Sequence, residues 1–314
     1  LRGFLLRCYR EQSVEVLRGN IREFFSQLYA TPDVNLEPSS GGRQMNGHYA
    51  TRWIDDNGNY KDLTQSKNSS SDISPTAGQM VRGLGLAFAS KCYRDNDKLH
   101  GKNNFSDKGN EVAFCTIGDA STSEGPFWET MNAAGVLQVP LAVFVYDDGY
   151  GISVPRKYQT SKNSISKALA GFQYNEGEGG VDIYTVRGWD YPALCNVITT
   201  GIAKVRDSHT PALFHIQEVT QPQGHSTSGS HERYKSPERL EWEKEADCLN
   251  KMRKFVIENA IADDELLDKI DTESKEKVKQ EKQAAWAAFL DPIKNKITEA
   301  ETLMNQLVFE AGDN

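Results

Sequence analysis

The chain predicts an α/β protein with a mainly parallel sheet flanked by helices and a helical C-terminal appendage, on two observations. Short apolar or β-branched runs, "EVAFCTI", "LAVFVYD", "VDIYTV" and "ALFHIQEV", alternate with helix-periodic stretches, the rhythm of βαβ units. From Ser236 onward, "SPERLEWEKEADCLNKMRKFVIENA" and "ADDELLDKIDTESKEKVKQEKQAAWAAFL" are charged, long and without strand signal. Residues 1–235 are therefore expected to form the sheet domain and 236–314 the appendage, and 314 residues suffice for a large core.

Taken in order, "DNGNYKDLTQSKNSSS" from Asp56 to Ser71 is polar and reads as a surface excursion. "GLGLA" at Gly83 to Ala87 falls in a helical stretch and lacks the third glycine of a dinucleotide fingerprint. "VAFCTI" is unbroken in its apolar character, so it predicts a fully buried strand that delivers Gly118 and Asp119 to its carboxyl end. Ser123 reads as the N-cap of the next helix, with Pro126 in its first turn and an end near Leu137. "LAVFVY" then predicts a strand ending at Asp147 and Asp148. In the tail, Ser236 caps a helix with Pro237 at its first position and Glu238 complementing the dipole.

Composition narrows the chemistry. A formal charge of -8 offers no basic surface for nucleic acid, and no apolar run is long enough to span a bilayer. Cys8, Cys92, Cys115, Cys195 and Cys248 are scattered and without a CxxC pair, which argues against a disulfide framework or a zinc site. A reducing, cytoplasmic compartment, most simply a bacterial cytosol, is expected. The start "LRGFLLRCYR" has no initiator Met, suggesting an excerpt of something longer. The tail end, "ITEAETLMNQLVFEAGDN", is a candidate linker.

Asp119 and Asp148 are about thirty residues apart, the length that a strand end, a crossover helix and a second strand require. The right-handed crossover puts both acids on one sheet edge, where ligands of parallel sheets gather. Magnesium takes one or two carboxylates and fills its shell with phosphate oxygens, water or carbonyls. The turn "DGYG" supplies such a carbonyl, so the reading from residues alone is a magnesium site for a diphosphate, set against two ordinary turns. His215 lies in an apolar strand and reads as core; His100 and His209 read as residues of polar connections.

"GDASTSEG" and "DDGYGIS" are similar to the thiamine diphosphate fingerprint, and with "CYREQSV", "GGRQMNGHY", "DISPTAGQM" and "QGHSTSG" they occur in one family's order. Over about residues 1 to 290 the chain resembles the alpha subunit, or the alpha half of a fused alpha-beta chain, of the thiamine-diphosphate-dependent decarboxylating first component of 2-oxo acid dehydrogenase complexes. The branched-chain (2-oxoisovalerate) members match best. The resemblance implies a thiamine-diphosphate-binding fold, with magnesium held by Asp119 and Asp148 side chains and the Tyr150 carbonyl. It further implies cofactor contacts from Tyr9, Arg10, Ser74, Gly118, Asp119, Ala120, Ser121, Ile152 and His225, with His225 catalytic. The activity implied is oxidative decarboxylation of a 2-oxo acid and acyl transfer to a lipoyl carrier. It needs a beta subunit or beta half, whose glutamate activates the pyrimidine ring, and a lipoyl-bearing acyltransferase, in an alpha2beta2-type assembly.

Several positions depart from the family. Asp148 stands where Asn is frequent and adds a negative charge. Tyr146 replaces an arginine, so Arg10, His225 or a partner chain is expected to supply the missing positive charge. Pro75 and Gln79 fit the potassium loop but Ile73 and Gly78 replace hydroxyl residues, which leaves K+ in doubt. Pyruvate or acetoin are the alternative substrates, and a non-catalytic cofactor-binding scaffold is the alternative class.

Overall fold

A computed structural model describes residues 3–6, 12–18, 20–44, 47–101, 104–225 and 231–312. Its main sheet has six strands: β1 (Gly3–Leu6), β2 (Asn68–Ser69), β3 (Val112–Gly118), β4 (Leu141–Tyr146), β7 (Asp182–Arg187) and β8 (Ala212–Gln217). A small antiparallel pair, β5 (Tyr150–Gly151) and β6 (Val154–Pro155), sits apart. The main order is β2-β1-β3-β4-β8-β7, and every pairing is parallel. The helices are α1 (Gln12–Arg18), α2 (Ile21–Leu28), α3 (Gly78–Asp95), α4 (Gly125–Leu137), α5 (Ile165–Ala168), α6 (Tyr191–Ser208), α7 (Pro237–Glu245), α8 (Cys248–Glu258) and α9 (Asp264–Ala311).

The central strands are apolar on both faces because helices cover both, as parallel sheets require. Ala113, Cys115 and Ile117 of β3, Val143 and Val145 of β4 and Leu213 of β8 join Met80 and Ala87 of α3 and Phe127, Met131 and Ala134 of α4 in one buried core. Period-two alternation puts the intervening residues on the other face. There Phe114, Phe144, Phe214 and Tyr184 form a stacked ladder across four strands, with centroids 6.3, 4.8 and 5.1 Å apart. Gly201 of α6 lies on this ladder: a Cβ there would stand 2.6 Å from the Phe214 ring. Each fully buried large side chain contributes about 1.5–3 kcal/mol.

The chain divides into two compact units. Residues 1–8 and 53–267 form the first, and residues 9–52 with 268–314 the second. Within the second, Trp286 of α9 meets the Tyr29 ring edge-on at 5.0 Å and stacks with Phe289 at 5.5 Å, and Arg22 pairs with Glu281 at 2.7 Å. The "GGRQ" motif is explained here by a buried carboxylate: Glu37 accepts hydrogen bonds from the backbone of Ser39, Ser40 and Gly42, each at 2.9 Å. Gly42, at φ 74, closes that turn so tightly that a Cβ would lie 2.4 Å from the Ala30 carbonyl oxygen.

Four expectations change. The grouping differs from the division at Ser236, because α7 is tied to the sheet unit through Arg239, which donates to the Asp148 carbonyl at 2.7 Å. Ser236 does cap α7, accepting from the Arg239 N–H at 3.2 Å. Ser123 does not cap α4; it ends a 3₁₀ turn at Ala120–Ser123, and Glu124 occupies the cap position with Pro126 following. The polar excursion at 56–71 is only partly at the surface. Its end, residues 68–70, is buried, and residues 68–69 pair as β2 with β1, with the Asn68 amide donating to the Leu63 carbonyl at 2.6 Å. His209 also departs from a polar connection: it is 4% exposed and closes the end of α6.

Candidate cation and diphosphate site

Strand pairing assembles the site. Gly118 and Tyr146 are register partners at the carboxyl ends of β3 and β4. The ladder runs one residue further: Asp119 N–H donates to the Tyr146 carbonyl at 3.0 Å and Asp147 N–H to the Ile216 carbonyl at 2.9 Å. The acids are thus held side by side on one edge, as the crossover argument predicts.

Asp119 is 3% exposed, and its Oδ2 has no hydrogen-bond partner among the described residues. Burial, then the charges of Asp147 and Asp148, push its carboxyl well above the usual carboxylate range. Burial also raises Asp148, against the pull of the Tyr150 N–H that its Oδ1 accepts at 3.0 Å and of Lys235 and Arg239. Asp147 goes the other way. Burial opposes its ionisation, but His215 and Arg156 outweigh that and hold it below the usual range.

Asp147 is fully committed to protein partners. Its Oδ2 accepts from His215 Nε2 at 2.7 Å and from the Arg156 guanidinium, and its Oδ1 accepts from Gly149 N–H at 2.9 Å. The Ser166 hydroxyl lies 2.9 Å from His215 Nδ1. His215 is fully buried as the apolar strand predicts, yet it serves as a polar brace for the turn. That leaves Asp119 and Asp148 as the acids with ligating capacity.

Tyr150 lies opposite Pro155 in the β5–β6 pair; the Arg156 N–H donates to the Gly149 carbonyl at 2.8 Å, which makes 149 and 156 the hydrogen-bonded pair, so the Tyr150 carbonyl points away from β6. Its ring is gripped by two cations, Lys235 Nζ at 5.3 Å and Arg239 Cζ at 5.4 Å from the centroid. Gly151 presses this turn against Ala120: a Cβ there would meet the Ala120 Cβ at 2.8 Å. Ala120 and Ser121 lie in the 3₁₀ turn directly after Asp119. Ile152 has φ 57 and is 61% exposed, a rare conformation for a β-branched side chain.

His225 is exposed, and its backbone bonds the Tyr234 hydroxyl. The Tyr234 ring is 5.9 Å from that of Tyr150, so His225 connects to the site through one aromatic pair. Ser74 is exposed on the turn ahead of α3. Gln79 donates its amide to the Thr116 carbonyl at 3.0 Å. Tyr9 and Arg10 lie outside the described residues.

Positive charge comes from residues that sequence reasoning did not select. Arg10, His225 or a partner chain was expected to offset Tyr146; Arg10 lies outside the described residues, and within them Arg156, Lys235 and Arg239 stand at the acids. Glu243 accepts from Lys235 at 2.7 and 2.8 Å and from Arg239 Nε at 2.8 Å. Arg156, Lys235 and Arg239 are thus engaged, among the described residues, by Asp147, by Glu243 and by the Asp148 carbonyl. Among the described residues no group of three or more His, Cys, Asp or Glu is arranged to hold a metal ion; two carboxylates with a carbonyl and diphosphate oxygens is a different donor set. No helix among the described residues is long and apolar enough to cross a membrane.

The sequence model of the dehydrogenase E1 component family matches residues 3–293. The chain is 27% identical to the 2-oxoisovalerate dehydrogenase subunit alpha of Bacillus subtilis over 292 residues, covering 91% of this chain and 76% of that protein. It is 27% identical to the mitochondrial 2-oxoisovalerate dehydrogenase subunit alpha of Caenorhabditis elegans over 256 residues, 80% of this chain and 49% of that one. The pyruvate dehydrogenase E1 component subunit alpha of Rickettsia bellii is 26% identical over 203 residues, 64% and 55% of the respective chains. The chain spans about half the length of the latter two.

Proposed function

This chain belongs to the dehydrogenase E1 component family, and from that membership we propose that it supplies the magnesium and diphosphate half of a thiamine-diphosphate-dependent site for oxidative decarboxylation of a 2-oxo acid. The observation that carries the reading is the orphaned, buried Oδ2 of Asp119 beside Asp148. A buried acceptor without a partner costs about 1–3 kcal/mol, and a divalent cation would satisfy it. The exposed, left-handed Ile152 also fits a group bound at this edge.

Asp119 and Asp148 would ligate Mg2+ through their side chains and Tyr150 through its carbonyl. Gly118, Ala120, Ser121 and Ile152 would line the cofactor, with Tyr9, Arg10 and Ser74 as its further contacts. Thiamine diphosphate, when bound, would supply the carbon nucleophile and electron sink for loss of carbon dioxide. His225 is assigned to diphosphate binding and to moving protons near the substrate carboxylate. Family resemblance assigns the pyrimidine-activating glutamate to a beta subunit or beta half, which would complete the site, and a lipoyl-bearing acyltransferase would accept the acyl group. Branched 2-oxo acids are favoured because the "GGRQMNGHY" stretch resembles the branched-chain members, and the Rickettsia relative's name makes pyruvate the second reading.

Calorimetric titration of thiamine diphosphate with Mg2+ into the chain, alone and with a beta partner, tests this. Binding that requires Mg2+, tightens with the partner and is lost in Asp119→Ala is expected. Absence of binding in both mixtures would reject the reading.

A further inference from the structure

Glu243 lies two turns into α7 and is fully buried, yet it carries no apolar packing role. It anchors Lys235, just before the helix, and Arg239, one turn ahead of it. A buried ionic triad is a costly way to hold a helix, since apolar residues of similar volume frequently do as well or better. The direction in which the two cations point supplies a reason. Arg239 spends Nε on Glu243 and reaches with Nη2 to the Asp148 carbonyl at 2.7 Å. Its guanidinium also lies 4.5 Å from the Trp242 centroid, and together with Lys235 it closes on the ring of Tyr150. The two residues of this turn assigned to the cation are therefore both gripped from α7, one by its carbonyl and one by its ring. The Asp148 carboxylate completes the frame by accepting the Tyr150 N–H.

We propose that Arg239, locked by Glu243, is a positioning residue for the cation site: it fixes the 148–150 turn so that the Asp148 carboxylate and the Tyr150 carbonyl converge on one metal ion. The inference rests on the magnesium-diphosphate reading above. Neither residue would contact the metal or the substrate. Truncating Arg239 leaves the ligands in place but lets the turn relax, so the loss falls on cation affinity.

The test titrates Mg2+ at fixed thiamine diphosphate, and then thiamine diphosphate at saturating Mg2+, into the chain with its beta partner. Heat is followed together with the intrinsic tryptophan fluorescence, to which Trp242 contributes. Arg239→Ala is expected to raise the Mg2+ half-saturation about tenfold, the loss of one hydrogen bond from a charged donor. Saturating Mg2+ should restore cofactor affinity to within about twofold, and Arg239→Lys, which keeps charge but loses the fork, should fall between. Glu243→Gln should shift Mg2+ affinity in the same direction. Should that variant fail to fold, as judged by its cofactor-free melting temperature, the partly exposed Arg239 decides the matter alone. Wild-type Mg2+ half-saturation in Arg239→Ala would overturn the positioning role while the cofactor reading stands. Absence of Mg2+-dependent binding in the wild type would overturn both.

Discussion

His209 carries the charge state at the end of α6. It adopts φ 57, donates its backbone N–H to the Val205 carbonyl at 3.0 Å, and places Nε2 3.1 Å from the Gly109 carbonyl oxygen. Burial, reinforced by the Arg94 guanidinium, pushes its pKa down from 6.5 to about 4. Between those values the unfolded chain binds a proton that the folded chain refuses, so His209 contributes stability above about 6.5 that is lost as the pH falls towards about 4. The effect is on the order of 2 kcal/mol. Denaturant melts at pH 7 and pH 4.5 should show His209→Asn, which tolerates the left-handed conformation, losing less stability than the wild type. Equal losses in the two would show that another group dominates. At this scale the candidate site was half legible. Asp119 and Asp148 follow from local spacing, whereas Arg239 and His215 reach the same turn from 91 and 68 residues away, separations at which one chain's spacing carries no signal.

Two helical glycines give opposite forecasts for one substitution. Alanine in a helix interior is ordinarily favoured over glycine by about 1 kcal/mol. Gly85 of α3 has open space where a Cβ would go, so Gly85→Ala should stabilise by about that amount. Gly201 of α6 has the Phe214 ring at 2.6 Å and the Tyr184 ring at 3.1 Å, so Gly201→Ala should destabilise by about 1–3 kcal/mol. Chemical denaturation midpoints check both signs at once. Elements were legible where their own residues decide them: the unbroken apolar run of β3, the apolar-rich runs of β4 and β8, the Ser-Pro start of α7, and the end of α4 at Leu137. Where pairing decides, they were not. β2 is two polar residues that become a strand only because β1 lies beside them, and the α4 cap moved to Glu124 because the chain first makes a 3₁₀ turn after Asp119.

For the sheet unit as a whole, protection should follow burial. β3, β4 and β8 occupy the middle of the order and are buried on both faces, while β2 is a two-residue edge. Amide hydrogen exchange should be slowest in 112–117, 141–145 and 212–216 and much faster in 68–69; uniform protection across the sheet would contradict it. The parallel architecture was legible because alternation of strands and helices is itself a whole-chain property. Its division into units was not, since residues 9–52 and 268–314 group across more than two hundred intervening positions.

The unpaired oxygen of Asp119 bears, finally, on how long the protein lasts in a cell. A ligand that binds only the folded state deepens its stability by about 2.7 kcal/mol at a hundredfold excess over Kd. Under the cofactor reading proposed above, a buried acceptor kept open for such a ligand would tie the chain's lifetime to vitamin and metal supply: copies loaded with both would resist unfolding and proteolysis longer than empty ones.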